Sequence, residues 1–160
     1  CLFELAQEIV KEFQTTCPSR QFLFEREGVT QCLLDRDRLA QVITNLVSNA
    51  STYGNAAPIV VRVVGNDTEI GLDVHNWGEP IAPELISELF QPLKRGNTSA
   101  SRGSIGLGLF IASEVVRAHA GSIAVRSSAD HGTTFTVRMP RMAAATVGPA
   151  AALERASAHD

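Results

Sequence analysis

Asn45 and Asn49 stand four apart inside a segment whose apolar residues recur at helical period. Asparagine is a poor interior helix former, because its amide competes for backbone hydrogen bonds. At this spacing both side chains leave the same side of a helix. A row of amide oxygens suits a hard cation such as Mg²⁺, which takes a few protein oxygens and completes its shell with phosphate and water. The bland alternative is a pair of half-exposed asparagines bonding each other or a loop, and for an isolated helix it is the favoured one.

A second set of residues points to phosphate. Gly103, Gly106 and Gly108 lead straight into an amphipathic helix carrying Ile105, Leu109, Ala112 and Val116 on one face. Backbone N–H groups at such a helix start approach an anion closely, and the helix end favours negative charge. The preceding stretch, 90–104, is long, polar and basic through Lys94, Arg95 and Arg102. Loops of that length in a compact domain are commonly lids or binding loops. A flexible connector, ordinary solvated charge and a plain core helix remain the alternative. The Walker pattern is excluded, since no Gly-Lys-Ser/Thr follows.

Other elements must hold these residues in place. Leu2, Leu5, Ala6, Ile9, Val10 and Phe13 predict a first amphipathic helix. Phe22 and Phe24 alternate with Leu23 and Glu25 as a strand, and Cys32-Leu33-Leu34 reads as another short one. The asparagine helix runs from about Asp35 to Tyr53. Ile59–Val64 reads as a buried strand, apolar on both faces apart from Arg62. A Gly65-Asn66-Asp67 turn then leads to a strand through Ile70, Leu72 and Val74. That strand ends in the loop His75-Asn76-Trp77-Gly78-Glu79-Pro80-Ile81. A short helix from Pro83 to Leu89 follows. After the glycine-led helix, Gly121 is placed for a left-handed C-cap, and a hairpin built on Ile123, Val125, Phe135, Val137 and Met139 closes the domain. Residues 1–140 read as one domain and 141–160 as an alanine-rich tail.

Composition sets the outer limits. The chain has 160 residues, 44% apolar and 19% charged, enough for one domain with a core. A formal net charge of −3 gives no electrostatic case for nucleic acid. No apolar run is long enough to span a bilayer. Three widely spaced cysteines fit a reducing compartment better than a disulfide framework, and none groups with histidine at zinc spacing. The chain starts within a helical pattern without Met, which predicts a segment of a longer protein.

Taken in order, five short stretches resemble the ATP-binding catalytic domain of sensor histidine kinases. That family shares a superfamily with gyrase, the ninety-kilodalton heat-shock chaperone and the MutL repair ATPase. Asn45-Leu46-Val47-Ser48-Asn49-Ala50 is similar to the N box, and Val74 to Ile81 to the G1 box. Phe90-Gln91-Pro92-Leu93 resembles the F box, Gly106-Leu107-Gly108-Leu109 the G2 box, and Gly132-Thr133-Thr134-Phe135 the last glycine box. The fold implied is an α/β two-layer sandwich, a mixed sheet of about five strands covered on one face by three helices.

The resemblance also implies roles. Asn49 would hold the Mg²⁺ bridging the triphosphate, and Asn45 would line the phosphate end; these two form the catalytic set. Asn76 stands where most relatives carry aspartate, and its amide oxygen would accept from the adenine amino group. Tyr53 and Ile81 would flank the base. Thr52, Gly78, Pro80, Phe90, Ser104, Ile105, Leu107, Leu109 and Thr133 complete the implied ATP contacts. Gly106 and Gly108 would present N–H groups to the phosphates, with Lys94 and Arg95 on a lid. Thr52 replaces a family cation, Pro80 the second G1 glycine, and Leu93 an aromatic.

The implied partners are a histidine-bearing dimerisation domain, upstream in the parent chain, and a response-regulator receiver domain. No contact with nucleic acid or membrane is implied, and the expected compartment is the cytoplasm. An autonomous superfamily ATPase and a degenerate nucleotide-binding module are the competing readings. The lid assignment has a direct test. Trypsin is expected to cut the free chain near Lys94, Arg95 or Arg102, and Mg-ATP to protect those bonds; equal cleavage with saturating nucleotide would make the segment a linker.

Overall fold

The structure, a computed structural model, describes residues 1–92 and 105–141, with the backbone alone at 105 and 106. In α1 (Leu2–Thr16) the residues Leu2, Leu5, Ala6, Ile9 and Val10 return every three or four positions and are all buried. In α2 (Arg36–Tyr53) the stripe is Leu39, Val42, Ile43, Leu46, Val47 and Ala50. Both ends of α2 are satisfied. Asp35 Oδ1 accepts from the N–H groups of Asp37 and Arg38 at 2.9 and 3.1 Å, a cap worth about 1 kcal/mol. At the other end the Arg20 guanidinium donates to the carbonyls of Ser51, Gly54 and Asn55.

Five strands form one mixed sheet: β1 (Phe22–Gly28), β2 (Ile59–Gly65), β3 (Glu69–Asn76), β4 (Ser122–Ser128) and β5 (Gly132–Pro140), in the order β1-β2-β3-β5-β4. β1 and β2 are parallel, because α2 crosses over between them, and the remaining pairs are antiparallel. Register puts the apolar residues on one face. Phe24, Val61, Val74, Phe135 and Val125 make one cross-sheet row, and Val63, Leu72, Val137 and Ile123 the next. Against this face lie α1, α2 and α4 (Ile105–Ala118), which form a single core with it. The sheet covered by three helices matches the expected fold.

The other sheet face has no covering layer among the described residues, which corrects the reading of β2. Arg62 is exposed and pairs with Glu25 at 3.7 Å and with Glu27, while Val60 and Val64 are only part-buried. β2 is therefore buried on one face. Arg138 makes a two-pronged bond to Asp73, at 2.8 and 3.1 Å, from the neighbouring strand. Its stem lies where a Cβ on Gly71 would sit, 2.9 Å from Arg138 Cδ.

Three local expectations change. Cys32-Leu33-Leu34 forms no strand; the Leu33 N–H simply donates to Arg141 O at 3.0 Å. The helix α3 spans only Pro83–Ile86, buries no residue of its own, and gives way to turns before the buried Leu89. At the end of α4 the left-handed residue is Ala120, with φ +56°, and not Gly121. Gly121 N–H bonds back to Val116 O at 2.9 Å and Ala120 N–H to Arg117 O at 2.9 Å, the paired bonds of a Schellman turn. Gly121 is small for another reason: a Cβ there would lie 2.6 Å from both Arg138 O and Met139 Cγ.

These neighbours should respond oppositely. Ala120→Gly relieves the left-handed alanine and is expected to stabilise the domain by about 0.5–1 kcal/mol. Gly121→Ala is expected to destabilise it by about 1–3 kcal/mol through overpacking. Urea unfolding checks both signs.

Candidate functional site

The end of β3 is stapled to the end of α2. Gly54 and Gly78 form an isolated antiparallel bridge, and Asn55 N–H donates to Trp77 O at 2.6 Å. Neither glycine tolerates a side chain. A Cβ on Gly78 would lie 2.4 Å from Tyr53 O, and one on Gly54 2.5 Å from Ala50 O. The loop that follows is tied to the β4–β5 hairpin. Ile81 N–H donates to Ser127 Oγ at 2.9 Å, and Ser127 Oγ shares a 2.7 Å hydrogen bond with Thr133 Oγ1. Gly132, at φ +66°, starts β5 close under Asn76, where a Cβ would meet Asn76 O at 2.7 Å. Register then sets Thr133 opposite Asn76.

These ties frame a cleft lined by Asn49, Tyr53, Asn76, Glu79, Ile81, Leu89, Leu109, Thr133 and Phe135. Together with its open mouth the cleft holds about 340 Å³. A larger groove on the open sheet face is lined by charges that already have partners, Arg62 with Glu27 and Arg138 with Asp73. The cleft differs in its unpaired atoms. Asn76 is only 3% exposed, and its Oδ1 has no hydrogen-bond partner among the described residues. Its Nδ2 reaches only Trp77 O, at the limiting distance of 3.5 Å. A buried acceptor left unpaired costs about 1–3 kcal/mol, so the free fold carries a penalty that a ligand donor would remove.

The buried walls around Asn76 are apolar, and the one carboxylate of the lining, Glu79, is exposed. Leu89, Leu109 and Phe135 are buried. Burial pushes the Tyr53 phenol above its ordinary range, so it stays neutral. His75, next to Asn76, shares a hydrogen bond with Thr134 Oγ1 at 3.0 Å and packs edge-on to Trp77. Burial lowers its pKa, so at neutral pH it adds no charge.

One turn along α2 from Asn49, Asn45 meets the start of α4. A Cβ on Gly108 would sit 3.0 Å from Asn45 Oδ1, so glycine at 108 makes room for the amide. Asn45 Nδ2 is also buried without a partner among the described residues. The cleft thus has an apolar slot closed by Asn76 at one end and a helix start beside Asn45 at the other.

Of the residues singled out in the sequence, Asn49, Tyr53, Asn76, Ile81, Leu109 and Thr133 meet in the cleft wall. Thr52 is exposed and donates to Ser48 O at 2.9 Å, and Pro80 is exposed outside the lining. Gly78 belongs to the staple. Phe90 packs edge-on against Phe135, ring centres 6.4 Å apart. Leu107 is 58% exposed on the first turn of α4. Ile105 and Gly106 contribute described backbone only, and Lys94, Arg95 and Ser104 lie outside the described residues. Sequence reading missed Glu79, Leu89, Phe135 and Ser127. The alternation that pairs Phe135 with Val74 could have found the third; nothing in the sequence marks Ser127.

Residues 34–143 match the family model described as histidine kinase-, DNA gyrase B- and HSP90-like ATPase. The sensor protein SrrB of Staphylococcus aureus is 37% identical over 110 residues, covering 67% of this chain and 19% of that protein. The chain therefore spans about a fifth of the length of such curated relatives. The catalytic domain of histidine kinase ThkA, in a nucleotide-free form, superposes with a TM-score of 0.74 at 28% identity, covering 87% of this chain and 93% of that one. A mycobacterial sensor histidine kinase, MprB, shares the fold at TM-score 0.73 and 21% identity, covering 88% of this chain and 96% of that one. The chain belongs to the histidine kinase-, DNA gyrase B- and HSP90-like ATPase family, among the ATP-binding catalytic domains of sensor histidine kinases.

Proposed function

We propose that the chain binds Mg-ATP in this cleft and, in its parent protein, donates the γ-phosphoryl group to a histidine on a separate dimerisation domain. A response-regulator receiver domain would then take the group. Residues 1–140 would be the working domain and 141–160 a tail outside it, operating in the cytoplasm. The observation that carries the reading is the buried, unpartnered Asn76 Oδ1 at the closed end of an apolar slot that Asn49 also lines.

The base would enter the slot between Tyr53 and Ile81, with Leu109 and Phe135 excluding water and Asn76 accepting from its amino group. Asn49 fits a magnesium ion, since a neutral amide oxygen on the cleft wall suits a hard cation. Magnesium, when bound, neutralises triphosphate charge and templates its oxygens. The first turn of α4 offers unpaired N–H groups to the phosphates, with Lys94 and Arg95 as further cations. A histidine nitrogen attacks the γ-phosphorus in line, the bond to the β,γ-bridging oxygen breaks, and ADP departs with that electron pair. The chain's contribution is positioning and charge.

Asn45 supports a kinase over an autonomous ATPase. An amide takes no proton at neutral pH, so position 45 supplies no general base for water. The acceptor histidine carries its own nucleophilic nitrogen and needs none.

Titration calorimetry is expected to show ATP binding at least tenfold weaker with excess chelator than with Mg²⁺, and Asn49→Ala to lose most of that difference while remaining folded. Equal affinities would remove Asn49 from the metal. Phosphate release by the purified chain is expected to stay far below about 1 per second, the low end of ordinary turnover. Phosphohistidine should appear only on adding a histidine-bearing dimerisation domain. Release near that rate by the chain alone would favour the autonomous ATPase.

A further inference from the structure

We infer that Asn76 makes this a site for purine nucleoside triphosphates of both the 6-amino and the 6-oxo class, not for ATP alone. The inference rests on the proposed nucleotide reading of the cleft. An asparagine amide carries one acceptor and two donors on a single planar end. In one orientation Oδ1 accepts from the 6-amino group of adenine while Nδ2 donates to N1. Turned by half a revolution, Nδ2 donates to the 6-oxo group of hypoxanthine or guanine while Oδ1 accepts from N1–H. An ionised carboxylate only accepts, so against either edge it would satisfy the base's donor and set its second oxygen against the base's acceptor, where the amide matches both.

Whether the amide can turn depends on what holds it, and little does. Oδ1 is unpartnered, and Nδ2 has a single contact, to Trp77 O at 3.5 Å. No described residue fixes one orientation through a strong bond, so the ligand selects it. Charge does not select it either. The adjacent His75 is held toward its neutral form by burial, and Tyr53 toward its neutral phenol. Glu79, the carboxylate in the lining, is exposed at the mouth. The residue itself is held close, since a side chain on Gly54 would crowd its Cβ and one on Gly132 its carbonyl. The result is a closely held residue with a reversible pattern of donor and acceptor.

The test is calorimetric titration of the whole chain with Mg-ATP, Mg-ITP and Mg-GTP. Hypoxanthine lacks the 2-amino group of guanine, so ITP reads the amide contact without added bulk. ITP is expected to bind within about tenfold of ATP, the size of one neutral hydrogen bond. Asn76→Leu, which offers neither donor nor acceptor, is expected to weaken ATP and ITP alike, by about tenfold. ATP binding with ITP weaker by well over tenfold in the unaltered chain would overturn the dual specificity and leave the nucleotide site standing. Failure of all three nucleotides to bind with Mg²⁺ present would overturn both. The wild-type ratio decides the matter even if the leucine variant does not fold.

Discussion

The close approach of Gly54 to Gly78 is the contact on which the site depends. It brings a helix end and a strand end within backbone hydrogen-bonding distance. A side chain at either position would meet a carbonyl at 2.4–2.5 Å. Backbone cannot yield there, because Ala50 O and Tyr53 O belong to the last turns of α2. The staple thereby sets the side-chain row of α2 against the outlet of β3. Asn49 and Tyr53 come from one element and Asn76 from the other, and this contact draws their ends together above the core that α2 and β3 share.

Arg20 completes the arrangement from outside the cleft. The last carbonyls of α2 have no partner within the helix. Arg20 reaches in from the loop before β1 and satisfies the carbonyl of Ser51 in that last turn, together with those of Gly54 and Asn55 just past it. The planar guanidinium, with donors in a fixed fork, suits several carbonyls at once where a lysine would serve as a point charge. A position that looks like an ordinary surface cation in the sequence therefore anchors the turn that carries the staple.

What was legible in the sequence was what repeats. The stripe through Leu39, Val42, Ile43, Leu46, Val47 and Ala50 gave α2 nearly to the residue, since period and burial are the same fact seen twice. The alternation on β3 and β5 likewise fixed the inward face. Asn76 stood out as a polar group at the mouth of a buried strand, followed by a loop glycine. What failed had no period to carry it. The short apolar run at Cys32 found no strand edge to join, and α3 stopped where it had no face to bury. Ala120 took the left-handed position because Gly121 was already committed to close packing against β5. Ser127 and Glu79 join the site through the hairpin and loop geometry, and no local pattern encodes that.

The fold also gives the cleft an electrical direction. Asn45 and Tyr53 lie eight positions apart on α2, roughly 12 Å along its axis, a length comparable to a nucleotide from its base to its terminal phosphate. The C-terminal, partially negative end of α2 lies beside Asn76, where an uncharged base with an amino group would sit, and Arg20 moderates that end from behind. The N-terminal, partially positive end of α4 lies beside Asn45, where triphosphate would sit. Gly108 lets the two helices meet at that point without a side chain between them. One helix therefore supplies the ruler and the amides, and the second supplies the positive end. A ligand neutral at one end and strongly anionic at the other fits that polarity in one direction only.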